Sequence, residues 1–268
     1  MGSLEEIVSI LNAMKNLSLV EITKVSRLYL NQQELLQAAE FAIADFQRFF
    51  GTAGSETPDG PSLYILIGSE RGFCGGFNEA IQQKSASEGA SQAKAKLIVV
   101  GRKLALKFAG DARVVVALDG PNTTEEISSV ISALAGELAR FGGTNWKIVY
   151  NSYSNEGARV EVKSPFDFAK PGANPHFDFP PLLNLPASEL RPQLFEQYLF
   201  ALFHGIFYLS FMAENHERLR HMDGALNKIR EEEQRLKQLW NSLRQETITE
   251  ELELIMLNVV DPAGPSTV

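Results

Sequence analysis

A single cysteine, Cys74, among 268 residues excludes an internal disulfide framework and makes a reducing compartment the default expectation. Basic residues are also in short supply: 25 Lys and Arg against 33 Asp and Glu give a net charge of −8. Without a basic cluster, that balance predicts no nucleic-acid partner. The opening Met1-Gly2-Ser3-Leu4-Glu5-Glu6 is acidic where a secretory signal is basic, and Glu6 stands where a myristoylation signal needs Ser or Thr. The apolar run from Tyr198 to Met212, bracketed by Glu196 and Glu214, is shorter than the ~20 residues a membrane span needs, so no direct membrane insertion is expected. An apolar content of 44% with 22% charged residues excludes wholesale disorder.

Missing motifs narrow the chemistry further. The four histidines are His176, His204, His216 and His221. A metal pair on a helix needs i, i+3 or i, i+4 spacing, and His216 and His221 are five apart. Cys74 has no local His to activate it, so a packed thiol is expected rather than a nucleophile. Neither a phosphate loop ending in Lys-Ser/Thr nor a Gly-x-Gly-x-x-Gly dinucleotide fingerprint occurs. The expectation is no catalytic residue, no metal and no cofactor.

Proline and glycine are missing between Ser3 and Phe50. Over that stretch Leu4, Ile7, Leu11, Met14, Val25, Leu28, Leu35, Ala42 and Phe49 fall on the two seam positions of a heptad, interrupted by Ser18, Glu21 and Gln32. This predicts one helix of about 45 residues, roughly 65–70 Å long. A second long helix is expected from about Pro192 to Asn258. Its first part, Tyr198 to Met212, is apolar all round apart from His204 and Ser210, so it should be buried. Met222, Ile229, Leu236 and Leu243 then recur every seven residues, with Ala225 and Leu239 at the second seam position. Between them lie Glu231-Glu232-Glu233, Arg235 and Lys237, and Glu232 and Glu246 occupy seam positions. This is a solvated helix suited to a two-stranded coiled coil extending beyond a compact domain.

The middle reads differently. Ser62–Gly68, Lys96–Gly101, Arg113–Leu118 and Trp146–Tyr150 are short apolar runs, each expected to be a buried strand. Helical patterns follow at Phe77–Lys84, Arg102–Phe108 and Thr124–Arg140. Alternation at this spacing predicts a doubly wound, mainly parallel sheet. Arg159–Lys163 alternates and reads as a half-exposed edge strand. The proline-rich stretch Ser164–Pro186 reads as a surface loop. The fold class is therefore α/β. An N-terminal coiled-coil helix (1–55) and a C-terminal helix with a short tail (187–268) pair as a long antiparallel coiled coil around an inserted Rossmann-like domain (56–186). Charge follows this division, with −2 in residues 1–50, −1 in 51–186 and −5 in 187–268.

The sharpest local feature is Gly68-Ser69-Glu70-Arg71-Gly72-Phe73-Cys74-Gly75-Gly76-Phe77-Asn78, between a strand and a helix. An α/β fold often binds phosphate there. The plainer reading is that its glycines let the chain turn tightly and bring the helix close to the sheet.

Three stretches together resemble the gamma subunit family of F-type ATP synthases. They are Ala13-Met14-Lys15, the segment Ser69 to Asn78, and Arg244-Gln245 followed by Ile248-Thr249-Glu250-Glu251-Leu252. In that family the middle segment reads Ser-Asp-Arg-Gly-Leu-Cys-Gly-Gly-Leu-Asn, so this chain has Glu70 for Asp and Phe73 and Phe77 for Leu. The resemblance implies the central rotor shaft of a bacterial ion-translocating ATPase, coupling rotation and proton or other ion transport to ATP synthesis or hydrolysis. It implies alpha and beta subunits of the catalytic hexamer, an epsilon subunit and a membrane rotor ring as partners. The location implied is the cytoplasmic face of the inner membrane, peripherally. By the same resemblance Met14, Lys15, Arg244, Gln245, Thr249 and Glu251 meet the catalytic ring. Glu70, Arg71, Gly72, Cys74, Gly75, Gly76 and Asn78 form the family's signature loop. The first helix starts about nine residues late against the family pattern, and its basic residues are largely replaced, which suggests a divergent branch. Two other readings remain at this level: a gamma-like scaffold of another assembly, and a free-standing nucleotide-binding module using the Gly72–Asn78 loop.

Overall fold

The computed structural model describes residues 2–50, 62–92, 94–141, 145–154, 157–165 and 179–260. The expected 1–55 and 56–186 boundary, most of the proline-rich loop, His176 and the tail from residue 261 lie outside them. The chain divides into two compact units, residues 12–222 and residues 1–11 with 223–268.

The larger unit is built on a five-stranded sheet in the order β3-β2-β1-β4-β5. Its strands are β1 (Leu63–Ile67), β2 (Lys96–Val100), β3 (Val114–Leu118), β4 (Trp146–Ser154) and β5 (Gly157–Lys163). The first four are parallel, and β5 pairs antiparallel with β4. β1 is central and wholly buried, as its unbroken apolar sequence requires. β3 departs from the expected buried strand. It forms the sheet edge, and alternate residues face outward, Val115 being 42% exposed. A run of valines cannot reveal which strand lacks a second neighbour.

Helices cover both faces. Phe77 and Ile81 of α2 (Phe77–Ser85) and Leu104 of α3 (Arg102–Ala105) join Tyr64, Leu66, Leu97, Val99 and Val149 in one cluster. On the opposite face, Ile127, Ile131, Leu134 and Leu138 of α4 (Ile127–Leu138) meet Leu63, Ile65, Ile67, Ile98 and Ile148. That second cluster also takes in the two long helices, α1 (Gly2–Phe50) and α5 (Ala187–Val260).

α5 starts five residues before the expected Pro192. The Pro186 carbonyl accepts the Glu189 and Leu190 amides at 3.0 Å, and Pro192 removes only one ladder donor from an early turn. Tyr198, Leu202, Phe203, Ile206, Phe207 and Phe211 are buried, as an all-round apolar helix demands. Within this unit α1 and α5 run antiparallel. The Ser26 hydroxyl lies 3.4 Å from the Met212 sulfur and the Gln32 amide donates to the Ala201 carbonyl at 2.9 Å, so α5 numbers fall as α1 numbers rise.

The α1 seam drifts from the heptad expectation. One column, Ser18, Val25 and Phe46, stays buried. The other holds at Glu21, 3% exposed, but Leu28 and Leu35 turn outward at 42% and 58%. Tyr29, Leu36 and Ile43, each one residue later, face the core instead. A helix of 3.6 residues per turn slips by ~20° per heptad against a strict seven-residue repeat. Here α1 follows a broad core and keeps its natural pitch.

In the smaller unit Leu11 and Leu226 are buried, whereas every residue from Arg230 to Met256 is exposed. The seam residues Leu236, Leu239 and Leu243 are among them, so no described part of this chain covers that stripe.

Candidate functional site

The loop from Gly68 to Asn78 leaves the carboxyl end of β1, where the order of strands reverses between β2 and β4. Folds of this kind bind ligands at that point. Here the loop's own side chains and α5 occupy it.

The turn begins with close packing. A Cβ on Gly68 would lie 2.4 Å from the Leu104 Cβ and 2.8 Å from the Asn78 Oδ1, so only glycine fits. Asn78, at the start of α2, reaches back to Ser69. Its Oδ1 accepts the Ser69 amide at 3.0 Å and its Nδ2 donates to the Ser69 hydroxyl oxygen at 2.8 Å. The Cys74 thiol donates to the same oxygen at 3.2 Å. Burial pushes that thiol's pKa up, so Cys74 is a packed thiol, not a nucleophile. Phe73 and Gly75 take positive φ values of 63° and 57°, which tighten the turn and leave the Phe73 ring 57% exposed.

Glu70 fills the anion position. Its Oε2 accepts the Arg102 amide and the Gly120 amide, both at 2.8 Å, and its Oε1 lies 3.4 Å from the Arg102 Nε. These two amides stand at the ends of β2 and β3, where a phosphate would seek donors. An internal carboxylate already holds both, which argues against the nucleotide-binding reading of this loop.

The outer side of the loop is tied to α5. The Arg218 Nε donates to the Gly72 carbonyl at 3.3 Å and its Nη1 to the Asn215 Oδ1 at 2.9 Å. Its Nη2 pairs with the Glu214 carboxylate, which also receives the Arg71 amide. Glu214 and Arg218 are 4% and 5% exposed. Burial pushes the Glu214 carboxyl upward, opposed by Arg218 and the Arg71 amide. The Arg71 Nε donates to the Asn122 Oδ1 at 2.9 Å. The expected loop residues Glu70, Arg71, Gly72, Cys74, Gly75, Gly76 and Asn78 thus sit together, in a fastening between sheet and helix.

The remaining expected residues are spread along the long helices. Met14 and Lys15 are half-buried on α1. Arg244, Gln245, Thr249 and Glu251 are exposed on α5. There the Arg244 guanidinium lies 5.6 Å from the Trp240 ring centroid, and the Thr249 hydroxyl donates to the Gln245 carbonyl at 2.9 Å. His204 is a satisfied core residue, 3.2 Å from the Ser128 hydroxyl and 2.9 Å from the Phe200 carbonyl. His216 stacks on Tyr153 with ring centroids 3.7 Å apart. Among the described residues no group of three His, Cys, Asp or Glu side chains could hold a metal. Nor is any described helix long and apolar enough to cross a membrane.

Sequence reading missed Glu214, Arg218 and Asn122, because their partners on or beside the loop lie 51 to 146 residues away. One signal was available: Glu214 and Arg218 share a helix face one turn apart, directly after an all-apolar run.

A family model described as ATP synthase matches residues 1–256. The ATP synthase gamma chain of Clostridium botulinum is 27% identical over 202 residues, covering 72% of this chain and 70% of that one. The ATP synthase gamma chain of Campylobacter concisus is 25% identical over 262 residues, covering 89% and 86%. Among solved structures, the central stalk/c-ring of the Tetrahymena thermophila mitochondrial ATP synthase contains a chain similar in fold. It superposes with a TM-score of 0.57 at 14% identity, covering 81% of this chain and 99% of that one.

Proposed function

We propose a function from one premise: the chain belongs to the ATP synthase family. Its role is that of the gamma subunit, the central rotor shaft. It couples ion-driven rotation to ATP synthesis or hydrolysis in a surrounding ring of alpha and beta subunits. The observation that carries this reading is the antiparallel pairing of the terminal helices around an inserted sheet, with Gln32 bonded to Ala201 and Ser26 to Met212.

The work of such a subunit is mechanical. A shaft acts through stiffness and through contacts that differ from one neighbour to the next. It needs no nucleophile or bound nucleotide of its own, and the chain serves as a non-catalytic subunit. The Glu70 carboxylate, which engages the two strand-end amides, supports that assignment. On this reading the exposed stripe of α5 and the residues Met14, Lys15, Arg244, Gln245, Thr249 and Glu251 meet the alpha and beta subunits. The sheet domain rests on an epsilon subunit and the membrane rotor ring. The assembly stands peripherally on the cytoplasmic face of a bacterial inner membrane.

The test is recovery of the assembly. Tagged chain purified from its native host should bring down alpha and beta ATPase subunits in stable complex. A preparation containing the chain but neither of those subunits would overturn the assignment. Within the assembled complex, Met14→Lys should lower ATP-driven ion pumping per ATP hydrolysed, because it adds a charge at a tight rotating contact. Unchanged pumping would remove Met14 from the set of ring contacts.

A further inference from the structure

A second fastening lies apart from the signature loop. Glu21 occupies a seam position of α1 and is 3% exposed. Its Oε2 accepts the Thr124 amide at 2.9 Å and the Thr124 hydroxyl at 2.6 Å. Thr124 opens the short turn that leads into α4, so a carboxylate from α1 supplies the cap that this sequence segment does not supply for itself. One turn along α1, the Lys24 Nζ lies 2.9 Å from the Glu125 Oε1 and 3.3 Å from the Glu21 Oε1. Two consecutive residues of the sheet domain are therefore held by two residues on one face of α1.

The other α1 contacts with the sheet-side core are apolar, made by Val25, Tyr29, Leu36, Ala39 and Ile43, and the further ion pair from α1 to the sheet, Glu40 with Lys163 of β5 at 3.4 Å, is partly exposed. Apolar contacts resist separation but are non-directional, so they oppose sliding or rolling of a helix only weakly. A buried carboxylate accepting two hydrogen bonds fixes both position and direction.

We propose that Glu21 is a positioning residue for coupling. It locks α1 axially and rotationally to the sheet domain, so that a torque on one reaches the other. Lys24 supports the lock from its exposed side. This inference rests on the rotor-subunit reading.

The test uses the whole ATPase reconstituted in vesicles, with ATP hydrolysis and ATP-driven ion pumping measured on the same preparation. Glu21→Ala should lower pumping per ATP hydrolysed by at least about twofold while hydrolysis continues. Glu21→Gln keeps an oxygen that can accept both Thr124 bonds, so it should restore most of the ratio. Thr124→Val removes the hydroxyl bond while leaving the amide, and should give an intermediate loss. The double variant Glu21→Ala/Thr124→Val should be no worse than Glu21→Ala alone. Equal ratios for wild type and Glu21→Ala, or additive losses in the double variant, would overturn the proposal. Should Glu21→Ala not assemble, the ratio in Thr124→Val decides: a loss upholds the lock, and a wild-type ratio rejects it. A wild-type chain that enters no ATPase would reject the rotor reading itself, a different result from full coupling without Glu21.

Discussion

Two stretches of the same helix make opposite use of their apolar residues. From Tyr198 to Met222, α5 buries Tyr198, Phe203, Phe207, Phe211 and Met222, and fastens itself with His204, Glu214, Asn215 and Arg218. From Arg230 to Met256 every residue is exposed, including Leu236, Leu239, Trp240 and Leu243. That second stretch supports itself with local pairs, such as Lys237 to Glu233 at 2.6 Å and Arg235 to Glu232 at 3.6 Å. The first stretch is sequence spent on this chain's fold. The second keeps a leucine column that no described residue of this chain covers, which suits a shaft whose outer surface belongs to its partners.

The sharpest way to break the contrast is to remove a charge from the buried stretch. Arg218→Met leaves Glu214 without its partner in a fully buried position, and should cost about 3–5 kcal/mol in chemical denaturation. Replacing both residues by Met should cost clearly less, because no buried charge is then stranded. A single variant as stable as wild type would mean that the pair does not fasten the loop. Gly68→Ala comes next. The new methyl meets the Leu104 side chain at 2.4 Å and should cost about 1–3 kcal/mol, read as a lowered Tm.

These two sites also mark how far the sequence could be read. The long helices, the parallel sheet and the loop after β1 follow from periodicity, from missing breakers and from clustered glycines, all local signals. What escaped depends on contacts distant in sequence. Ser18 and Glu21 looked like flaws in a heptad seam. Ser18 is buried, and Glu21 caps the short turn that begins 103 residues later and leads into α4. Thr124 was legible as a helix start, but not that its cap comes from α1. The outward turn of Leu28 and Leu35 escaped because a seven-residue repeat suggests a supercoil, whereas the broad core lets the helix keep its own pitch. The loop stands out by its glycines, yet its tie to Arg218 spans 146 residues and is invisible locally.

A smaller effect separates the stretches by pH. The Lys237 ammonium holds the Glu233 carboxyl below its ordinary value. Its folded pKa is depressed, so the stabilising contribution is present above the unfolded value of ~4.3 and is lost as pH falls through the folded one. Helicity of the distal stretch, followed by hydrogen exchange at Glu233 to Lys237, should weaken over that acid range. Lys237→Met should abolish the pH dependence there and leave exchange between Tyr198 and Phe211 unaltered.

The smallest expected effect is the most diagnostic. Leu243 is 53% exposed, so Leu243→Ser should change the stability of the isolated chain by less than about 0.5 kcal/mol. If the leucine column is a partner surface, the same substitution should still weaken recovery of alpha and beta subunits with the tagged chain. An apolar side chain that is idle in the free subunit loses its burial only when the ring has closed around it. Equal recovery of the ring with Leu243 and with Ser at that position would show that the exposed stripe is spare surface. A marked loss of stability in the isolated chain would instead show that the distal stretch is covered by this chain after all, and the division of α5 into an inward and an outward part would fall.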